Sequence, residues 1–328
     1  MTCIDRRTLL CGLGAGVATL AAGPAHAQEF PSQPVKLIVP YPPGGGVDTM
    51  ARPLAEKLAA AWGKPVIVEN KPGASTIIGT EQVVNAAPDG HTLLFTTDSS
   101  ITSNPHLFKK LPFDPITQLA PVTQLVDLIQ LVLVHRSITA KDGRELIALA
   151  RKDPKALNYG SYGTGSQPHL FFEALKSETG IGIEHVPFKG LAPAMQAVVS
   201  GETQMTLAGP GIAAGHIKSG AIRALAICYP RRIASLPDVP TIAESGFPDV
   251  DPRSWFGLLA PAKTLPPVIA RIARDVTSVL GEAEFRQRVV EGRGFGHVES
   301  SPDAFARFIA ADLAYKARLI KAAGIKPE

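Results

Sequence analysis

Strand-length apolar runs alternate with helix-length amphipathic runs along almost the whole chain, and this alternation restricts its fold more than any other feature. Residues 35–39 read as a strand, followed by a Pro- and Gly-rich turn and a helix-period stretch that runs to Ala61. Residues 66–68 (strand), 77–87 (helix) and 92–97 (strand) repeat the unit, with Pro88-Asp89-Gly90 supplying turn chemistry. Further strands are expected at 122–125, 129–134, 157–161, 184–188, 204–207 and 222–229, and helices at 144–151, 168–178 and 192–199. Strands joined through helices need crossovers, so mainly parallel sheets with both faces covered are expected. The tail departs from the rule: residues 266–280, 284–290 and 304–323 read as helices without long strands between them.

A length of 328 residues suggests about two domains. The formal charge is +4, and no basic run exceeds two residues. Tracking a phosphate backbone needs clustered positive charge, so nucleic acid is a poor partner for this chain. Proline is abundant, at 29 residues. That is well above the usual ~5% and calls for many fixed turns or strand ends.

The first 27 residues read as an export leader. Arg6 and Arg7 precede Thr8-Leu9-Leu10, an apolar small-residue stretch runs to Ala22, and Ala25-His26-Ala27 offers a cleavage site. The Arg pair resembles a twin-arginine signal, although Asp5 stands where Ser or Thr is usual; a general secretory signal is the alternative. Cleavage after Ala27 removes Cys3 and Cys11 and leaves Cys228, so a periplasmic location is expected without an internal disulfide.

In open α/β sheets ligands gather outside the carboxyl ends of strands, where loops meet helix N-termini. Two loops fit. Pro40-Tyr41-Pro42-Pro43-Gly44-Gly45-Gly46-Val47-Asp48 leads into a helix with Asp48 as its expected N-cap, and Gly160-Ser161-Tyr162-Gly163-Thr164-Gly165-Ser166-Gln167 leads into another. Either is a tight turn or an anion cradle, in which free amides and a positive dipole end face the ligand. His169, one turn into the second helix, reads as a packing or capping residue or as a ligand contact.

Signatures of other chemistries fail. Gly12-Leu13-Gly14 lies in the leader, and the G-x-G-x-x-A match at residues 209–214 has no acid about twenty residues on for a ribose. Tyr159 stands where a nucleophile elbow needs its first Gly. The eight histidines are scattered and no cysteine pair exists for zinc, so a metal site is not expected.

Six separated motifs carry a resemblance. They are Ile38-Val39-Pro40-Tyr41-Pro42-Pro43-Gly44-Gly45, Val68-Glu69-Asn70-Lys71-Pro72-Gly73, Ala87-Pro88-Asp89-Gly90, Val186-Pro187-Phe188-Lys189-Gly190, Leu236-Pro237-Asp238-Val239-Pro240-Thr241 and Trp255-Phe256-Gly257-Leu258-Leu259-Ala260-Pro261. In this order they resemble the Bug family, the extracytoplasmic solute-binding proteins of tripartite tricarboxylate transporters. The resemblance implies a two-lobed α/β fold of the type II periplasmic binding protein kind, with two mainly parallel sheets flanked by helices. A small carboxylate, an organic acid or amino acid, sits in the cleft between lobes. It further implies no cofactor and no catalysis, and a monomer that presents its closed form to integral-membrane transporter subunits; a sensor kinase is the alternative partner, and an exported enzyme is the alternative class. Lobe I is expected to comprise residues 28–127 and 253–328, and lobe II residues 128–252, with crossings near 126–129 and 251–255.

Carried over residue by residue, the family's ligand loops fall on Tyr41, Gly44, Gly45, Gly46 and Asp48 and on Ser161, Tyr162, Thr164, Gly165, Ser166 and His169, with Asp98 and Ser99 after the third strand and Gly209 after a later one. Tyr162 replaces the family's usual small residue and should narrow the cleft or stack on the ligand. Asp98 is the other departure. A carboxylate there repels an anion unless turned away, protonated or paired, so it either favours a ligand bearing an amine or hydroxyl or caps a helix facing solvent. Pro53 in the first helix suggests a start shifted to Arg52.

Overall fold

The computed structural model describes residues 30–153, 157–246 and 252–327; the expected leader and its cleavage site lie outside the described residues. The first sheet holds β1 (Val35–Val39), β2 (Val66–Asn70), β3 (Thr92–Thr97), β4 (Leu119–Leu128), β10 (Trp255–Pro261) and β11 (Phe295–His297), ordered β11-β4-β10-β3-β1-β2. The second holds β5 (Gln130–His135), β6 (Asn158–Ser161), β7 (Glu184–Pro187), β8 (Met205–Ala208) and β9 (Ile222–Cys228), ordered β7-β6-β8-β5-β9. The helices are α1 (Gly46–Trp62), α2 (Ile77–Val84), α3 (Asn104–Leu107), α4 (Gly143–Lys152), α5 (Gln167–Thr179), α6 (Leu191–Ser200), α7 (Pro210–Lys218), α8 (Pro266–Gly281) and α9 (Pro302–Ala322).

Both sheets are mixed. β1 pairs in parallel with β2 and β3, and β6 with β7 and β8, as helical crossovers require. β10 instead returns from the second sheet and enters the first from the opposite end, so it runs antiparallel to both β3 and β4. β4 leaves the first sheet next to where β10 arrives, with Trp255 opposite Asp127 and Leu128 N–H bonded to Ser254 O at 2.8 Å. The two passages between sheets are therefore adjacent, hydrogen-bonded strands.

In β1, Leu37 and Val39 pack with α1 and α8 on one face while Ile38 packs with Trp255, Phe305 and Ile309 on the other. Burial on both faces is why residues 37–39 are consecutively apolar. The last helix spans both halves: Phe305 and Ile309 join the core of the first sheet, whereas Leu319 and Ile320 join Phe171, Phe172 and Leu175 of α5.

Two local expectations are corrected. The N-cap of α1 is Gly45, and Asp48 lies in the first turn. Nor does Pro53 delay the helix. Its missing N–H leaves the Thr49 carbonyl without its i+4 donor, and the Arg293 guanidinium supplies the missing bond at 2.7 Å.

The entry to α2 is strained. Ala74, Ser75 and Thr76 all adopt positive φ (45°, 51° and 78°). Each such non-Gly residue costs about 1–2 kcal/mol. Hydrogen bonds hold the run in place: Asn104 Nδ2 donates to Ser75 O at 2.8 Å, and the Ser100 hydroxyl donates to Thr76 Oγ1 at 2.8 Å. Ser75 is exposed, so Ser75→Gly relieves strain without opening a cavity. Offset by the greater freedom of Gly in the unfolded chain, the expected gain is about 0.5–1 kcal/mol, read from the urea midpoint at unchanged slope.

Candidate functional site

The loop after β3 in one half meets the loop after β6 in the other, where Gln167 Nε2 donates to Asp98 Oδ2 at 3.1 Å, and the β4 and β10 passages between the sheets run side by side. Each strand end feeds a loop and then a helix N-terminus. Among the residues expected at the site, ten are exposed or half-buried: Tyr41, Gly44, Gly45, Gly46, Ser99, Tyr162, Thr164, Gly165, Ser166 and Gly209. The other four, Asp48, Asp98, Ser161 and His169, are buried. Those four frame the loops.

Asp48 braces the first loop. Its carboxylate accepts Gly44 N–H at 2.8 Å, Arg52 Nε at 2.9 Å and Nη2 at 2.8 Å, and Asn70 Nδ2 at 2.9 Å. Burial alone would raise its pKa, but these bonds outweigh it and hold the carboxyl below its ordinary value. Asn70 also donates to Tyr41 O at 3.1 Å, tying β2 to the loop. The second loop is braced alike. Ser161 Oγ and Ser166 Oγ both donate to Gly163 O, and Gly165, at φ 76°, donates its N–H to His169 Nδ1 at 3.0 Å. An accepting Nδ1 requires the His169 proton on Nε2. Its ring stacks on His185 at 4.1 Å, and burial, reinforced by His185, lowers its pKa from 6.5 to about 4.

Several loop amides are thereby engaged, and others remain. In α1 the first intrahelical bond is Thr49 N–H to Gly45 O, so the N–H groups of Gly46, Val47 and Asp48 precede the ladder at the positive dipole end. In α5 the ladder starts at Leu170 N–H to Ser166 O. Ahead of it, the Gln167 N–H reaches the Tyr162 hydroxyl. In α7 it starts at Ile212 and Ala213, both bonded to Gly209 O, leaving Gly211 N–H ahead of it.

Asp98 has an environment the sequence did not reveal. It stands at the N-cap position of the 99–103 turn, but its side chain makes no capping hydrogen bond and does not face solvent. Its Oδ2 lies 2.8 Å from Lys316 Nζ and accepts Gln167 Nε2 at 3.1 Å, while Oδ1 accepts the Ser254 hydroxyl at 2.6 Å. Lys316 and Asp98 are 0% and 1% exposed. Lys316 also donates to Arg253 O at 2.8 Å. One turn earlier on α9, Asp312 accepts Thr102 Oγ1 at 2.7 Å and Trp255 Nε1 at 2.9 Å. Burial pushes Asp312 above its ordinary pKa, with Lys316 opposing and Asp98 adding. Asp98 thus joins the loop after β3, the start of β10, α9, and through Gln167 the N-terminus of α5.

Two tyrosines from opposite halves complete the cleft. The Tyr41 hydroxyl bonds to Thr97 Oγ1 at 2.7 Å. Burial raises the pKa of both Tyr41 and Tyr162, and the Asp98 charge adds to each, so both remain neutral donors at physiological pH. Among the described residues, no group of His, Cys, Asp or Glu is placed to hold a metal ion.

The residues missed in the sequence are Asn70, Gln167, Ser254, Asp312 and Lys316. One signal was present: Phe305, Ile309, Asp312, Lys316 and Leu319 recur at helical spacing, placing two charges on a buried stripe.

Lys316→Met strands the buried Asp98 charge and should cost about 3–5 kcal/mol of stability, whereas the Lys316→Met/Asp98→Asn double variant should recover more than half. Urea unfolding at neutral pH reads both, and equal losses would refute the pairing. His169 has a pH signature. Its folded pKa is depressed, so its contribution is intact above pH 6.5 and is lost as pH falls toward about 4. The unfolding midpoint should drop across that window, and less steeply in His169→Asn, which keeps an acceptor for Gly165.

Comparison with known proteins is consistent throughout. Residues 50–325 match the model described as "Tripartite tricarboxylate transporter family receptor". The chain is 34% identical to protein BugT of Bordetella pertussis over 321 residues, covering 97% of this chain and 98% of that one. Among solved structures it is similar to an R. palustris protein determined with adipate (30% identity, TM-score 0.77, 92% of this chain and 100% of that one). It is also similar to MatC of Rhodopseudomonas palustris with bound malate (28% identity, TM-score 0.71, 89% and 100%).

Proposed function

The chain belongs to the tripartite tricarboxylate transporter receptor family, and from that premise we propose that it is exported to the periplasm, captures a small organic acid between its two halves and delivers it to membrane-bound transporter subunits. The observation that carries this reading is the convergence of loop-to-helix junctions from both halves beside Tyr41 and Tyr162, with N–H groups ahead of the helical ladder at Gly46, Val47 and Asp48. An oriented set of backbone donors at positive dipole ends binds a carboxylate without a fixed cation. The tyrosine hydroxyls and bridging waters then set selectivity.

Asp98 bears on the ligand class. Its charge is taken up by Lys316, Ser254 and Gln167, which removes the repulsion that a bare carboxylate would exert. A ligand amine is therefore unnecessary, and a dicarboxylate suits the site, as adipate and malate do in the two R. palustris relatives. Closure bends the adjacent β4 and β10 passages, and the Gln167–Asp98 contact is made across the moving boundary.

Titration calorimetry of the mature chain with dicarboxylates, amino acids and aromatic acids should give single-site binding for at least one small organic acid; silence across the set would defeat the reading. Gly46→Pro tests the donors. Proline is favoured at this first helical position, and the extended Gly45 before it (φ −72°, ψ 170°) accommodates it. Loss of one hydrogen bond to a charged ligand should weaken affinity about 10–100-fold, at unchanged stability.

A further inference from the structure

A second cavity, of about 990 Å³, opens between the two halves, and none of the residues carried over for the carboxylate cleft lines it. One wall comes from α7 and the segment after β9, the other from residues 286–297. It neighbours the cleft through Phe295, which lines the cavity while its ring lies 3.9 Å from the position a side chain on Gly46 would take.

Its lining has two parts. Ile129, Ile217, Ile233, Leu236 and Phe295 make an apolar floor, while Lys218, Arg231, Arg232 and Arg286 stand against a single acid, Glu291. Arg232 is committed to Glu244 and Pro237 O, and Arg286 faces Glu291 at 3.6 Å. Arg231 is different. Its guanidinium lies over the Tyr229 ring at 5.7 Å, and among the described residues neither it nor Lys218 forms an ion pair. His297 also lines the cavity, and both of its buried ring nitrogens lack a hydrogen-bond partner; Glu299 Oε1, at 3.7 Å, is too far.

From this juxtaposition we infer that the cavity is an accessory binding site for an amphipathic organic anion, an aromatic or branched carboxylate whose apolar body rests on the isoleucine floor. The volume suits such a molecule, and small-ligand sites are typically apolar with a few placed polar groups. The Arg231 guanidinium, positioned against Tyr229, pairs with the carboxylate. A small aliphatic dicarboxylate would leave the floor bare, so the two sites take different ligands.

Naphthoate is the probe, titrated calorimetrically into the mature chain, with neutral naphthylmethanol as the uncharged control. Two variants read the site: Ala214→Trp fills the cavity from an exposed position on α7, and Arg231→Gln removes the charge. The expected result is saturable binding of naphthoate, weakened at least tenfold by Ala214→Trp and about tenfold by Arg231→Gln, with naphthylmethanol weaker by a similar factor. Unchanged unfolding midpoints confirm that both variants fold. Absence of saturable binding at millimolar naphthoate overturns the inference. So does binding that neither substitution weakens, because the probe then sits elsewhere, and weakening by Ala214→Trp alone overturns the assignment of Arg231 and of an anionic ligand.

Discussion

A single buried lysine organises the centre of this molecule. Lys316 projects from α9 into a region with no solvent, where an unpaired ammonium would be prohibitive, and it is made tolerable by Asp98 at 2.8 Å and the Arg253 carbonyl at 2.8 Å. Around that pair gather Ser254 at the β10 passage, Gln167 at the head of α5, and Asp312 with its Thr102 and Trp255 donors. Four segments remote in sequence thus meet at one electrostatic node. The orientation of the β3 loop, the seat of α9 on both halves and the contact between halves all depend on it.

The node also shapes the electrostatics of the cleft. A carboxylate at Asp98 without a cation would oppose capture of an organic acid; burial, with the Asp98 charge adding to it, raises the Tyr41 and Tyr162 pKa values, and both phenols stay protonated as donors. The remaining donors are backbone. They are oriented because the loops behind them are internally bonded, through Asp48 with Arg52 and Asn70 on one side and through Ser161, Ser166 and His169 on the other. Ordering a loop before the ligand arrives lowers the entropy cost of binding, which gives the prolines at 40, 42 and 43 a role.

How much of this is legible in the sequence depends on range. The strands of the first half were readable because burial on both faces demands apolar runs, as in residues 37–39 of β1 and 93–95 of β3. The two Gly-rich loops were readable because helix entries after strands have a compositional signature. β11 escaped because three residues carry no periodicity. The residues expected as 284–290 helix divide into shorter, differently wound turns. The mixed pairing was hidden too, because direction is set by the end from which β10 re-enters, and no local pattern encodes that.

The sequence by itself determined the βα series, the family resemblance and the two Gly-rich loops that join strand to helix, since these follow from hydrophobic period, turn chemistry and short motifs. Only the tertiary structure decided what the polar residues in those loops do. Asp48 and His169 became braces rather than exposed binding groups, and Asp98 became half of a buried ion pair. The physical reason is that a side chain's role depends on its charge environment and hydrogen-bond partners, and for Asp98 that partner is a lysine near the far end of the chain.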